Sequence, residues 1–204
     1  MLTIKSKYKI AKRLGNQIFE QTQTQKFALA EARSGKKPQR GGRGGKTDYG
    51  RQLLEKQKVR FTYGIQEKQL ANYAAAAFEE KNPPEALHRS LELRLDSAAY
   101  RAGFALTRRG ARQMASHGHL LVNGKRITTP SYRLKKGDTI TVREGSRKSV
   151  LFAHMGNPEA SARSIPHWLS VDLSTMVAKV EGEPGYTAAE IPLDYPAVFE
   201  FYSR

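Results

Sequence analysis

A chain of 204 residues is long enough for one large or two small domains with a real apolar core. It carries 35 Lys and Arg against 19 Asp and Glu, a net charge of +16, and no cysteine. That balance calls for a polyanionic partner, nucleic acid before a membrane surface, and it excludes disulfides and thiolate zinc sites.

Residues 1–47 read as a basic arm and a linker. The opening "MLTIKSKYKIAKRLG" has no apolar core of signal-peptide length, and nowhere does the chain approach the eighteen or so consecutive apolar residues of a membrane span. Some helix is expected near Thr24–Arg33. "RSGKKPQRGGRGGK", Arg33 to Lys46, then holds six cations, five glycines, one proline and no acid. Such a stretch buries too little apolar surface to offset its ordering entropy, and with no acid among its cations it reads as an arm that orders on phosphates. The candidate RNA contacts of residues 1–47 are Lys9, Arg13, Arg40, Arg43 and Lys46.

Residues 48–90 read as a helical domain, to which the C-terminal segment 180–204 is a candidate addition. Asp48 is the expected N-cap of "YGRQLLEKQKVRFTYG", with Leu53, Leu54, Val59, Phe61 and Tyr63 on the apolar side and Gly64 as the stop. "IQEKQLANYAAAAFEEK" predicts a second helix, ended by Pro83 and Pro84. From about Glu85, Leu87, Leu91, Leu95, Ala98 and Ala102 form one apolar stripe, which predicts a single helix to Gly103. Thr107 is the expected N-cap of a short helix "RRGARQMAS".

At Leu120 the period changes to that of strands. Val122-Asn123-Gly124-Lys125 signals a hairpin, because a type I′ turn needs positive φ at both central residues. A second turn at Lys136-Gly137-Asp138 precedes a strand containing Ile140 and Val142. "HWLSVDLSTMVAKV" and "VFEFY" read as further strand or extended pieces. The fold class is therefore α+β: a mostly helical N-terminal domain and, over 91–179, a small helix-and-antiparallel-sheet module with following strands.

The span Ser97–Gly137 contains no Asp or Glu but nine Lys and Arg, which implies one continuous positive face. Arg108 and Arg109 fall in the first turn of a predicted helix, where the macrodipole disfavours cations. A phosphate bound by both guanidiniums and the helix N–H groups would resolve that conflict. His117 and His119 supply only two ligands, whereas zinc needs three or four, and no nucleophile or orienting acid stands near them. They read as residues flanking a sharp turn at Gly118, with partial contact to phosphate or ribose compatible with that.

The run "RLDSAAYRAGFALTRRGARQMASHGHLLVNGKRITTPSYRLKKGDTITV" resembles the RNA-binding module named after the fourth protein of the small ribosomal subunit. "YKIAKRLG" and "DYGRQLLEKQKVRFTYGIQEKQLANY" resemble the bacterial and organellar family of that protein, and "VFEFYSR" is a shorter match. The resemblance implies a non-enzymatic ribosomal protein, in the cytoplasm or an organelle, that binds small-subunit RNA directly at a multi-helix junction. It implies nucleation of the subunit body and an influence on decoding accuracy through the fifth small-subunit protein. It implies no cofactor, membrane partner or small-molecule substrate. The RNA contacts it implies are Arg101, Arg108, Arg109, Arg112, His117, His119, Asn123, Lys125, Arg126, Tyr132 and Arg133 in the module, and Tyr49, Arg51, Lys56 and Lys58 in the helical domain. Many relatives carry a cysteine-rich zinc knuckle before the Asp-Tyr-Gly helix, and here a Gly/Arg-rich stretch replaces it.

The module also occurs on pseudouridine synthases, whose catalytic aspartate lies in an Arg-Leu-Asp motif. Here Arg94-Leu95-Asp96 falls inside the module, with Leu95 in the apolar stripe, and no large catalytic sheet domain is present. From Val150 to Arg204 the sign of the charge reverses, with seven acids and three bases. Glu190, Asp194 and Glu200 are accordingly expected to face a basic protein neighbour.

Overall fold

The computed structural model describes residue 4 and residues 6–33, 47–156, 165–187 and 191–203. Arg40, Arg43, Lys46 and Glu190 lie outside them. The fold is α+β. In chain order the helices are α1 (Lys7–Leu14), α2 (Gln25–Arg33), α3 (Asp48–Tyr63), α4 (Glu67–Phe78), α5 (Pro83–Glu92), α6 (Leu95–Arg101), α7 (Arg108–Ser116), the single turn α8 (Glu144–Arg147) and α9 (Tyr195–Tyr202). The strands are β1 (Leu120–Val122), β2 (Lys125–Arg126), β3 (Thr139–Val142), β4 (Leu169–Asp172) and β5 (Val177–Val180). The chain divides into two compact units, Met1–Pro84 with Thr187–Arg204, and Glu85–Tyr186.

In the first unit, the segment read as a basic arm carries a core of its own. Ala11, Leu14, Ile18, Phe19 and Phe27 are buried together, and Leu54 and Phe61 of α3 pack against them. The basic composition of α1 hid a short apolar face. The cap of α3 is Thr47, whose hydroxyl accepts from Gly50 N at 3.2 Å, so Asp48 is the first helical residue and not the cap. Gly64 ends α3 in the left-handed conformation.

Pro83 and Pro84 do not end the second helix, which stops at Phe78; they begin α5. At the first helical positions a missing N–H is no loss. "VFEFY" is helical in α9 and not extended. The Asp194 side chain accepts from Ala197 N at 3.1 Å, Pro196 lies in the first turn, and Tyr195, Val198 and Phe199 are buried.

In the second unit the helix predicted from Glu85 to Gly103 is two helices. α5 ends at Glu92, Arg94 is extended, and α6 begins at Leu95. Backbone groups freed by the break pair with a segment far along the chain: Leu134 N donates to Leu93 O (2.8 Å), Leu95 N to Tyr132 O (2.9 Å) and Asp96 N to Pro130 O (3.1 Å). The stripe ran unbroken because both helices bury that face, with Leu87, Leu91, Leu95, Ala98 and Ala102 all at 0% exposure.

The sheet has strand order β2-β1-β3-β5-β4, with every pairing antiparallel. Leu120, Val122, Ile140, Val142, Ala178 and Val180 are buried at every second position of their strands, in one core with Ala111, Met114 and Ala115 of α7. That core holds α7 and the β1–β2 hairpin in fixed relation.

Candidate nucleic-acid interface

Although Ser97–Gly137 lacks acids, its arginines meet acids in space. Glu92, the last residue of α5, is 1% exposed. It accepts from Arg101 Nε and Nη2 at 2.8 and 3.0 Å and from Arg108 Nη2 at 3.0 Å. Burial alone would raise the Glu92 pKa, but the Arg108 and Arg101 guanidiniums override it and hold the carboxyl well below its usual range. Arg108 also donates to Ser97 Oγ (3.3 Å) and stacks over Tyr100 at 4.7 Å.

The unfavourable place of Arg108 at the α7 N-terminus is thus compensated by an internal carboxylate. The expectation that it converges with Arg109 on one phosphate is corrected to that extent. Arg109 is exposed. The cap of α7 is Thr107, which accepts from Gly110 N.

Asp96 anchors a second pair. It receives Arg94 Nε and Nη2 at 2.9 and 2.8 Å and Arg112 Nε at 2.8 Å, and it also accepts from Ser97 N. Arg94 and Asp96 side chains are 3% and 4% exposed. The Arg-Leu-Asp triplet is therefore a buried ion pair at the α5–α6 break, with its carboxylate covered by two guanidiniums. Sequence reasoning missed Glu92 and Asp96 as the residues that hold the helix face. The available signal was two carboxylates four apart, flanking an apolar stripe.

The hairpin has the expected geometry. Asn123 and Gly124 have φ of 51° and 77°, and Val122 pairs with Lys125. Asn123, a candidate RNA contact, has its amide committed elsewhere: Nδ2 donates to Asp138 Oδ1 at 2.8 Å, and Oδ1 accepts from Thr139 N at 2.9 Å. It latches the hairpin to the Lys135–Asp138 turn, where Asp138 Oδ2 accepts from Lys135 N.

Lys125 and Arg126 are exposed and form no ion pair among the described residues. Arg126 Nη2 donates to His117 O at 3.1 Å, and the guanidinium lies so close over Gly118 that a Cβ there would collide with it. Tyr132 and Arg133 are exposed as well.

The two histidines flank the turn that ends α7. Gly118 has φ 71°; its N–H bonds Ala115 O and the N–H of His119 bonds Met114 O, which satisfies the last carbonyls of the helix. His117 is exposed, and His119 places Nδ1 2.9 Å from Ser146 Oγ. Burial lowers the His119 pKa, and the charges of His117, Arg143 and Arg126 lower it further. Arg143, beyond the acid-free span, is an exposed cation near this turn that the sequence reading did not single out.

The first unit uses several of its candidates internally. Lys56, expected to face RNA, is instead nearly buried: its side chain is 7% exposed, and its ammonium is 2.8 Å from Glu67 and 3.9 Å from the centre of the Phe201 ring. Lys58 pairs with Glu55 at 2.6 Å. Arg51 lies 3.5 Å from Glu200, which also accepts from Gln52 at 2.9 Å. Asp194 caps α9. Both of these tail carboxylates therefore have structural work within the chain. Lys9, Arg13 and Tyr49 are exposed, with the Tyr49 ring 5.7 Å from that of Phe201.

Residues 3–92 match the family model described as the ribosomal protein S4/S9 N-terminal domain, and residues 93–140 match the S4 domain. The small ribosomal subunit protein uS4 of Persephonella marina is 47% identical over 160 residues, 77% of each chain. That of a Sulfurihydrogenibium species is 41% identical over 198 residues, 96% of this chain and 95% of its own. That of Corynebacterium kroppenstedtii is 45% identical over 159 residues, 78% of this chain and 79% of its own. This is a family of ribosomal structural proteins and not of enzymes. With both domain models matched in order and identity this high across nearly the whole chain, the protein belongs to the uS4 family of small ribosomal subunit proteins.

Proposed function

We propose that the protein is a component of the small ribosomal subunit that binds its RNA directly at a multi-helix junction. Binding there nucleates assembly of the subunit body. The observation that carries this reading is the hairpin: Lys125 and Arg126 stand exposed and free of carboxylates on a turn locked by Asn123, beside the C-terminal end of α7 with His117, while the exposed Arg109 lies in the first turn of that helix. A rigid cationic edge of this kind reads the path of a phosphate backbone, and base edges contribute little. Arg101, Arg108 and Arg112, fixed by Glu92 and Asp96, hold the helix face in register with the hairpin and offer only their outer edges to RNA.

In the first unit Lys9, Arg13, Tyr49 and the outer edges of Arg51 and Lys58 are the contacts, together with the basic linker residues Arg40, Arg43 and Lys46. The family resemblance supports a contact with the fifth small-subunit protein and through it an effect on decoding accuracy. Of the tail carboxylates, Glu190 and the half-exposed Glu200 serve that contact and Asp194 does not. The protein works in the ribosome, in the cytoplasm or an organelle.

Footprinting of the full chain on naked small-subunit RNA tests the reading. Protection confined to one helical junction is expected; diffuse protection, or none, would overturn it.

A further inference from the structure

A cleft of about 310 Å³ opens in the second unit, and none of its lining comes from the hairpin or from α7. The cations that line it come from two segments: Arg89 from α5, and Arg133, Lys135 and Lys136 from the loop before β3. Its floor is apolar, made by the buried Leu93 and Leu134, and the Leu134 N–H to Leu93 O bond of 2.8 Å ties the loop to the end of α5. On the far side, Gly137 N donates to Val180 O at 2.8 Å and Val180 N to Asp138 O at 2.9 Å. The backbone of the walls is therefore pinned by hydrogen bonds.

One carboxylate lines this cleft. Glu183, beyond β5, places Oε2 3.1 Å from Arg89 Nη1, with 65% of its side chain exposed against 22% for Arg89. Four cations against one carboxylate leave a formal charge of +3 in the cleft (4 − 1). An exposed pair such as Glu183–Arg89 holds its partner weakly. A tetrahedral anion that meets several of the four cations at once would outcompete it.

We propose that this cleft is a phosphate-binding site whose anion position is held, in the free protein, by the Glu183 carboxylate, and that a backbone phosphate of an RNA strand displaces it. The choice of RNA as the source of the phosphate rests on the RNA-binding reading above. The phosphate chemistry of the cleft does not. The cleft then supplies a second grip, separate from the hairpin, and Glu183 sets how readily it opens to a ligand.

The test uses the full chain and two probes, inorganic phosphate and a transcript of small-subunit RNA, with three variants. Glu183→Gln should tighten both probes by about twofold to fivefold, the range of a lost surface ion pair. Lys135→Gln with Lys136→Gln should weaken both and reduce the log–log salt slope for RNA by up to about two units. Thermal melts of these surface variants should match the parent. Effects on inorganic phosphate alone keep the phosphate site but assign it to a free phosphate and not to RNA. Lys125→Ala with Arg126→Ala separates the two readings. If it loses RNA while the cleft variants change neither probe, the cleft proposal fails alone. If it binds RNA as the parent does, the hairpin reading fails, and the inorganic phosphate arm decides the cleft.

Discussion

Arg101, Arg108 and Arg112 on α6 and α7, and Lys125 and Arg126 on the hairpin, carry the same charge within one compact unit but stand in opposite environments. The first three have guanidinium N–H groups bonded to Glu92 or Asp96, both buried, and side chains only 15–35% exposed. The hairpin pair faces solvent and is placed by turn geometry, with Asn123 as the latch. A buried ion pair is costly to break because the surviving partner keeps its desolvation penalty, whereas an exposed cation leaves stability almost untouched when removed. Identical charges in the sequence therefore divide into some that belong to the fold and some that are available to a polyanion.

The sharpest way to break this comparison is Asp96→Ala. It leaves Arg94, 3% exposed, without its carboxylate, and should destabilise the second unit by about 3–5 kcal/mol in chemical denaturation. A loss under about 1 kcal/mol would place the helix arginines in the same class as the hairpin pair.

Glu92→Gln should cost about 3 kcal/mol near neutral pH for the same reason. Its pH dependence has a definite sign. The folded pKa lies below the ordinary value of 4.5, so the carboxylate's contribution is fully present above that value and is lost as the pH falls below it. The stability gap between parent and Glu92→Gln should therefore narrow below about pH 4.5 in parallel melts, and a gap constant with pH would contradict the pairing.

Gly124→Val should cost about 1–2 kcal/mol, because φ is 77° there and a β-branched residue resists it. Asn123→Ala removes two hydrogen bonds at an exposed site and should cost about 1 kcal/mol. For equal amounts of folded protein its RNA affinity should fall by no more than about threefold, because the loosened turn still presents Lys125 and Arg126. A tenfold loss of affinity at unchanged stability would make Asn123 an RNA contact.

Most features set by neighbours in the chain were legible in the sequence, although the α3 cap is Thr47 and not the adjacent Asp48, and Pro83 and Pro84 start a helix instead of ending one. The Asn-Gly hairpin, the Thr107 cap and the glycine stops at 64, 103 and 118 each depend on a few adjacent residues, and each stands where the sequence puts it. What depends on distant partners was not legible. The break at Leu93-Arg94 exists because residues 130–134 arrive to pair with it, while the apolar stripe passes through unaltered. Lys56 is buried only because Glu67 and Phe201 meet it from α4 and α9. "VFEFY" has the β-branched and aromatic composition of a strand, and the Asp194 cap with Pro196 was the stronger signal for a helix. The acid-free span hid its own carboxylates because Glu92, Asp96 and Asp138 lie just outside its ends.

The measurement that bears most directly on the central claim is the salt dependence of binding to small-subunit RNA, for the parent and for Lys125→Ala with Arg126→Ala. Two lost phosphate contacts should make the log–log slope shallower by about 1.8 units on duplex RNA, while the denaturation midpoint moves little. Parallel lines for the two proteins would show that the hairpin cations do not hold the backbone.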